Sequence, residues 1–123
     1  MTPDKIIKKS KDLSRRQPFD FNCWAFTALA LGWLSHVHWF NETEMELLLK
    51  FYTIQVKDLQ PGDVIVYRSK HKQWLIHTCI WLGLPDAEVV NKSGRFPIEF
   101  TSMKEVDDVY EWCECTTEFR RPV

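Results

Sequence analysis

An uncharged segment near the start of the chain restricts the possible folds more than any other feature. Residues 21–41 contain no Asp, Glu, Lys or Arg, and a basic stretch precedes them. A membrane anchor of this kind would be continuously apolar, but polar side chains interrupt the run at Asn22, Thr27, Gly32, Ser35, His36 and His38. We therefore expect a buried helix over about 23–36, capped by Asp20 or Asn22 and packed at the centre of the fold.

A second helix is expected in the segment "NETEMELLLKFY", which follows the uncharged run. Thr43 and Glu46 have the spacing of a capping box at its start. Its apolar residues Leu47, Leu48 and Phe51 are expected to form the buried stripe.

The pattern then changes from helices to strands. A Pro-Gly turn precedes the strand signal at 64–67, and "QWLIHTCIWLG" and "AEVVNKSG" predict two further strands joined by a tight turn. "FPIEF" and "EWCECTTEF" predict two more, with a short helix near "SMKEVDDVY" between them. Helices followed by strands with short connections indicate an α+β fold with an antiparallel sheet.

The length of 123 residues suits one compact domain, which we expect over 17–123. Residues 1–16 carry six basic and two acidic side chains and are expected to be a basic tail or arm. The formal net charge of −1 argues against a general nucleic-acid-binding protein. No integral membrane segment is expected.

The four cysteines do not form a disulfide-dense scaffold, and we expect them to be reduced. A zinc site built from Cys113, Cys115, His36 and His38 is disfavoured, because Cys-x-Cys and His-x-His lack the usual ligand spacing. We predict neither a metal nor any other cofactor.

Three residues have the chemistry of a thiol hydrolase, which needs a nucleophile, a base and a group that orients the base. Cys23 opens the predicted central helix, where the backbone dipole favours a thiolate. His77 lies within an apolar strand, and Asn91 ends the next strand. Two antiparallel strands joined by a tight turn can place these side chains next to each other. Inert core packing of Cys23 and His77, and a turn role for Asn91, are the alternatives.

The segment "NCWAFT" resembles the nucleophile segment of papain-like cysteine peptidases. The second half of the chain, "LQPGDVIVY" and "IHTCIWLG", resembles their compact relatives, the NlpC-type cell-wall peptidases and CHAP amidases. The resemblance covers about residues 17–94 and implies a compact fold in which the Cys23 helix packs on the antiparallel sheet. It also implies a catalytic triad of Cys23, His77 and Asn91. An oxyanion hole would come from the Cys23 backbone and the Gln17 side chain.

The function implied by the resemblance is cleavage of an amide bond through a Cys23 thioester, with a peptidoglycan stem peptide as substrate. Two alternatives stay open: a protease, deamidase or transamidase acting on a cytosolic protein, and an inactive papain-like binding module. The absence of a recognisable signal peptide favours a cytoplasmic protein. A cell-wall substrate would then require release by lysis, transport in a virion or injection.

Overall fold

The computed structural model describes residues 1–123 and contains four helices and one six-stranded sheet. The helices are α1 (Pro3–Leu13), α2 (Cys23–Ala30), α3 (Glu42–Tyr52) and α4 (Met103–Tyr110). The strands are β1 (Thr53–Val56), β2 (Val64–Ser69), β3 (Leu75–Leu84), β4 (Ala87–Lys92), β5 (Ile98–Thr101) and β6 (Cys115–Pro122). Two short 3₁₀ turns, Pro18–Asp20 and Glu111–Cys113, precede α2 and β6 respectively.

All neighbouring strands of the sheet are antiparallel, in the order β1-β6-β2-β3-β4-β5. The α+β class with an antiparallel sheet is therefore confirmed. The C-terminal strand β6 inserts between β1 and β2. β1 was not predicted, because its four residues follow α3 without a turn signal.

The two faces of the sheet carry separate hydrophobic clusters. On β2, Val64 and Val66 belong to the main core with residues of α1, α2 and α3, whereas Ile65 and Tyr67 pack with Val106 of α4. Successive side chains of a strand point to opposite faces, so α1–α3 cover one face and α4 covers the other. The sheet is the central layer.

The first sixteen residues are not a solvated tail. Thr2 caps α1, whose Ile6 is fully buried in the main core. Lysines occupy much of the rest of this helix, with Lys5 and Lys8 exposed. The basic residues that suggested a tail lie on the outer face of an amphipathic helix. The apolar stripe from Ile6 to Leu13 was too short to indicate this helix in the sequence.

α2 and α3 differ from their predicted boundaries. α2 ends at Ala30, ahead of Gly32 with φ +79°, a left-handed conformation that terminates the helix. The capping box of α3 is formed by Asn41 and Glu44, two residues earlier than the predicted Thr43–Glu46 pair.

The buried stripe of α3 consists of Met45 and Leu49, whereas Phe51 is 68% exposed and Leu47 is exposed. Residues four apart share a helix face, and with the helix starting at Glu42 this pair faces the core. The predicted stripe was therefore wrong for Leu47 and Phe51, whereas the partly buried Leu48 packs against the main core.

Candidate functional site

The thiol of Cys23 is positioned by the start of α2. Asn22 caps the helix, since its Oδ1 accepts a hydrogen bond from the Ala25 backbone N–H at 2.9 Å. The Nδ2 of Asn22 donates to the Phe40 carbonyl at 2.7 Å, which fixes the cap to the loop before α3. Cys23 is the first helical residue and is only 7% exposed.

His77 and Asn91 lie at the open ends of β3 and β4. Pairing between these strands runs from Leu84–Ala87 to Ile80–Val90 and stops before it reaches His77. The helix α2 contacts both strands near this gap, where the Thr27 and Thr78 hydroxyls are 2.9 Å apart. The helix α2 and the two strands therefore meet where β3 and β4 are no longer paired with each other.

A buried hydrogen bond joins the His77 Nε2 to the Asn91 Oδ1. The amide of Asn91 has its orientation fixed, because its Nδ2 donates to Ser93 Oγ at 3.2 Å and to Glu99 Oε1 at 3.1 Å. The oxygen of Asn91 therefore faces the imidazole and accepts the Nε2–H. In this tautomer the Nδ1 of His77 carries a lone pair.

Tyr110 is hydrogen-bonded to that nitrogen. Its hydroxyl lies 3.0 Å from His77 Nδ1, and its ring stacks on the imidazole with centroids 4.3 Å apart. Tyr110 ends α4, four residues after the buried Val106, so both side chains are on the sheet-facing side of that helix. This four-residue spacing is the only sequence pattern that relates Tyr110 to the sheet, and Tyr110 was not among the predicted site residues.

Cys23 and His77 make no hydrogen bond with each other, because the two ring nitrogens are taken by Asn91 and Tyr110. Alongside burial, which is the main cause in each case, a charge on Cys23 contributes to the raised pKa of Tyr110, to about 12, and of Cys79.

Burial sets the protonation states of the site. It raises the pKa of Cys23 to about 11, against the opposing effects of the Thr78 and Trp24 backbone N–H groups and the Lys92 charge. Burial also lowers the pKa of His77 to about 4, with the hydrogen bond to Asn91 acting in the opposite direction. At neutral pH the structure therefore holds a thiol and a neutral imidazole. The expectation that the helix dipole would favour a thiolate is outweighed by desolvation.

Gln17 is exposed at the cap of the first 3₁₀ turn, and its side chain makes no hydrogen bond within the protein. The structure gives this side chain no link to His77 or Asn91. The backbone N–H of Cys23 is among the first N–H groups of α2, which lack intrahelical partners. It is the better-supported oxyanion donor of the two that were predicted.

The remaining cysteines divide into a pair and a single thiol. Cys113 and Cys115 form a disulfide, so the expectation that all four cysteines are reduced was wrong for this pair. Cys23 and Cys79 are free and buried. The Cys113 sulfur also lies 2.9 Å from the Tyr110 carbonyl oxygen, which places the disulfide directly after the residue that covers His77.

A cavity of about 630 Å³ opens beside Tyr110 on the α4 side of the sheet. Tyr67 and Tyr110 line it together with four carboxylates, Asp107, Asp108, Glu111 and Glu114. No three His, Cys, Asp or Glu side chains of the structure are grouped so as to hold a metal ion. None of the four helices has the length and apolar composition needed to cross a bilayer.

Comparison of the chain with protein-family models, with curated proteins and with solved structures gives no match. The chemistry of the site therefore has to be argued from its own residues.

Proposed function

We propose that this protein is a cysteine hydrolase of papain-like, NlpC-type architecture that cleaves an amide bond through a thioester on Cys23. The observation that carries the proposal is the buried His77–Asn91 hydrogen bond on two strands against which α2, the helix that begins at Cys23, packs. An orienting amide that selects one tautomer and leaves the other ring nitrogen for a thiol is the arrangement that a general base needs.

The proposed reaction assigns one role to each group. The Cys23 sulfur attacks the amide carbonyl while its proton passes to His77 Nδ1. The backbone N–H of Cys23 stabilises the oxyanion, and such a donor contributes roughly 3 to 4 kcal/mol to lowering the barrier. The imidazolium then protonates the leaving amine, and a water molecule activated by the same nitrogen hydrolyses the thioester. Asn91 keeps Nε2–H bound throughout.

The hydrolase requires Tyr110 to move, because its hydroxyl occupies the nitrogen that must accept the thiol proton. Cys23 must also become exposed to solvent, because burial is the main cause of its raised pKa. The structure is thus the closed form of the proposed enzyme. Its substrate, by resemblance, is a peptidoglycan stem peptide, with a cytosolic protein as the alternative.

A papain-like module without activity is the second candidate, and the same closure favours it. A thiol that is 7% exposed and an imidazole whose Nδ1 is already bonded describe a site that does not react as it stands. A binding module would keep this closed arrangement permanently, whereas an enzyme must leave it during each turnover.

Incubation with purified peptidoglycan and, separately, with a cytosolic proteome tests the proposal, with products identified by mass spectrometry. We expect new amine and carboxylate termini or deamidated side chains from the wild-type protein. The Cys23→Ala variant is the matched control and should give none. Identical product profiles from both proteins would leave the binding module as the function.

A further inference from the structure

Lys92 is a buried charge that the proposed chemistry does not yet use. It ends β4 directly after Asn91 and has no exposed surface. Its Nζ donates to the Phe21 carbonyl at 2.5 Å and to the Gly94 carbonyl at 2.5 Å. The Phe21 ring lies under the ammonium, with its centroid 4.7 Å away.

Stability alone does not explain a lysine at this position. Lys92 forms no salt bridge, although a buried ammonium without an anion costs several kcal/mol of folding free energy. Its strand neighbours Val89 and Val90 are fully buried and apolar. Two carbonyl oxygens can be satisfied by a neutral amide, so the hydrogen bonds require a donor but not a charge.

The contacts of Lys92 connect the two sides of the site. Phe21 is two residues before Cys23, and Gly94 is three residues after Asn91. One ammonium therefore joins the loop that leads into the nucleophile helix to the turn that follows the orienting amide. Burial lowers the pKa of Lys92, with the charges of Cys23 and Asp20 acting in the opposite direction, and the Lys92 charge in turn opposes the burial that raises the pKa of Cys23.

Lys92 is also the only positive charge available to the thiolate at neutral pH. The other ionisable groups around the site are His77 and Cys79 of β3, Glu99 of β5, Tyr110 of α4 and Asp20. His77 is neutral there, as burial lowers its pKa to about 4. Asp20 and Glu99 are acidic side chains and supply no positive charge.

We propose that Lys92 is a positioning residue that holds the Phe21 loop against the turn after Asn91 and places a positive charge at the loop that leads into Cys23. The charge favours the thiolate that attacks the carbonyl, and the two hydrogen bonds keep the start of α2 next to the end of β4. The proposal rests on the proposed thiol chemistry but not on the identity of the substrate.

The pH profile of Cys23 alkylation separates the charge from the hydrogen bonds. Iodoacetamide labelling of Cys23 is followed by mass spectrometry between pH 6 and 10 in the wild type, Lys92→Gln and Lys92→Met. Lys92→Gln keeps a donor without the charge, and Lys92→Met removes both at similar length. We expect both variants to shift the profile to higher pH, with at least a threefold lower rate at pH 8. Lys72→Gln, at an exposed lysine, is the control and should leave the profile in place.

An unchanged pH profile in a folded Lys92→Gln protein would overturn the proposal. If neither neutral variant folds, the effect of Cys23 on the pKa of Lys92 is measured instead, since electrostatic coupling between two groups is reciprocal. The Nζ of Lys92 is then titrated by NMR in the wild type and in Cys23→Ser, where its pKa should be lower. An equal pKa in both proteins would overturn the proposal. A shifted pH profile without any detectable hydrolysis would support the proposed role of Lys92 and contradict the proposed hydrolase function.

Discussion

His77 is held by two side chains that use its ring nitrogens in different ways. Asn91 accepts from Nε2 and is itself fixed by Ser93 and Glu99, so this contact has one stable arrangement. Tyr110 donates to Nδ1 from the last residue of a helix that buries only Val106. In the proposed mechanism the first contact orients the base, and the second has to break.

Replacement of the three proposed catalytic residues should affect rate and leave the fold intact. Cys23→Ala and His77→Ala should each lower hydrolysis to background, and the double variant should be no slower, because the two groups act as one unit. Asn91→Ala should lower the rate by about ten- to a hundredfold, since it only orients the ring. Hydrolysis rates and melting temperatures check this order, and an Asn91→Ala protein as inactive as Cys23→Ala would contradict it.

Tyr110→Phe should increase the reactivity of Cys23, since it removes the hydroxyl on His77 Nδ1 and keeps the ring. A neutral hydrogen bond contributes about 0.5 to 1.5 kcal/mol, so we expect alkylation of Cys23 to become roughly two- to tenfold faster. Tyr67→Phe is the matched control, because Tyr67 also lies near His77 but donates to Asp107. Equal acceleration in both variants would show that Tyr110 does not cover the base.

At the scale of single elements, α1 is an integral part of the domain rather than an arm. Its Ile6 has no exposed surface and belongs to the main core, whereas Lys8 on the same helix is exposed. The helix is tied down at its start by the Thr2 cap and along its length by apolar contacts.

Ile6→Ala should therefore destabilise the protein by about 2 to 5 kcal/mol, the usual cost of a large-to-small change in a core. Lys8→Ala, on the exposed side of α1, should change the free energy of unfolding by less than about 0.5 kcal/mol. Urea denaturation measures both. An Ile6→Ala protein with wild-type stability would mean that residues 1–16 are the detached arm that the composition suggested.

At the scale of the whole molecule, local patterns in the sequence were sufficient to predict most strands of the sheet. Strands β2 to β6 and helix α4 lie where turn residues and apolar runs predicted them. The His77–Asn91 contact was also predictable, because a tight turn joins its two strands. Tyr110 was not, since it is 33 residues from His77 and reaches it only through packing of α4 on the sheet. The burial of Cys23 could not be predicted either, because it also results from the packing of elements that are distant in the sequence.

The buried imidazole of His77 should make the stability of the whole protein depend on pH. Burial lowers the pKa of His77 from 6.5 to about 4, so between these values the unfolded chain binds more protons than the folded one. Stability should fall as the pH falls through this range, by up to about 1.4 kcal/mol per pH unit from this group. Urea unfolding at pH 7 and pH 5 should show the loss in the wild type and less of it in His77→Gln. His71→Gln, at an exposed histidine, is the control.

The dependence of Cys23 reactivity on His77 tests the central claim most directly. Without added reductant the disulfide protects Cys113 and Cys115, so iodoacetamide at neutral pH distinguishes Cys23 from Cys79 within one protein. The account predicts that Cys23 is labelled well before Cys79, and that His77→Ala slows Cys23 relative to Cys79 although it opens the site. Faster or unchanged labelling of Cys23 in His77→Ala would show that His77 does not act as its base.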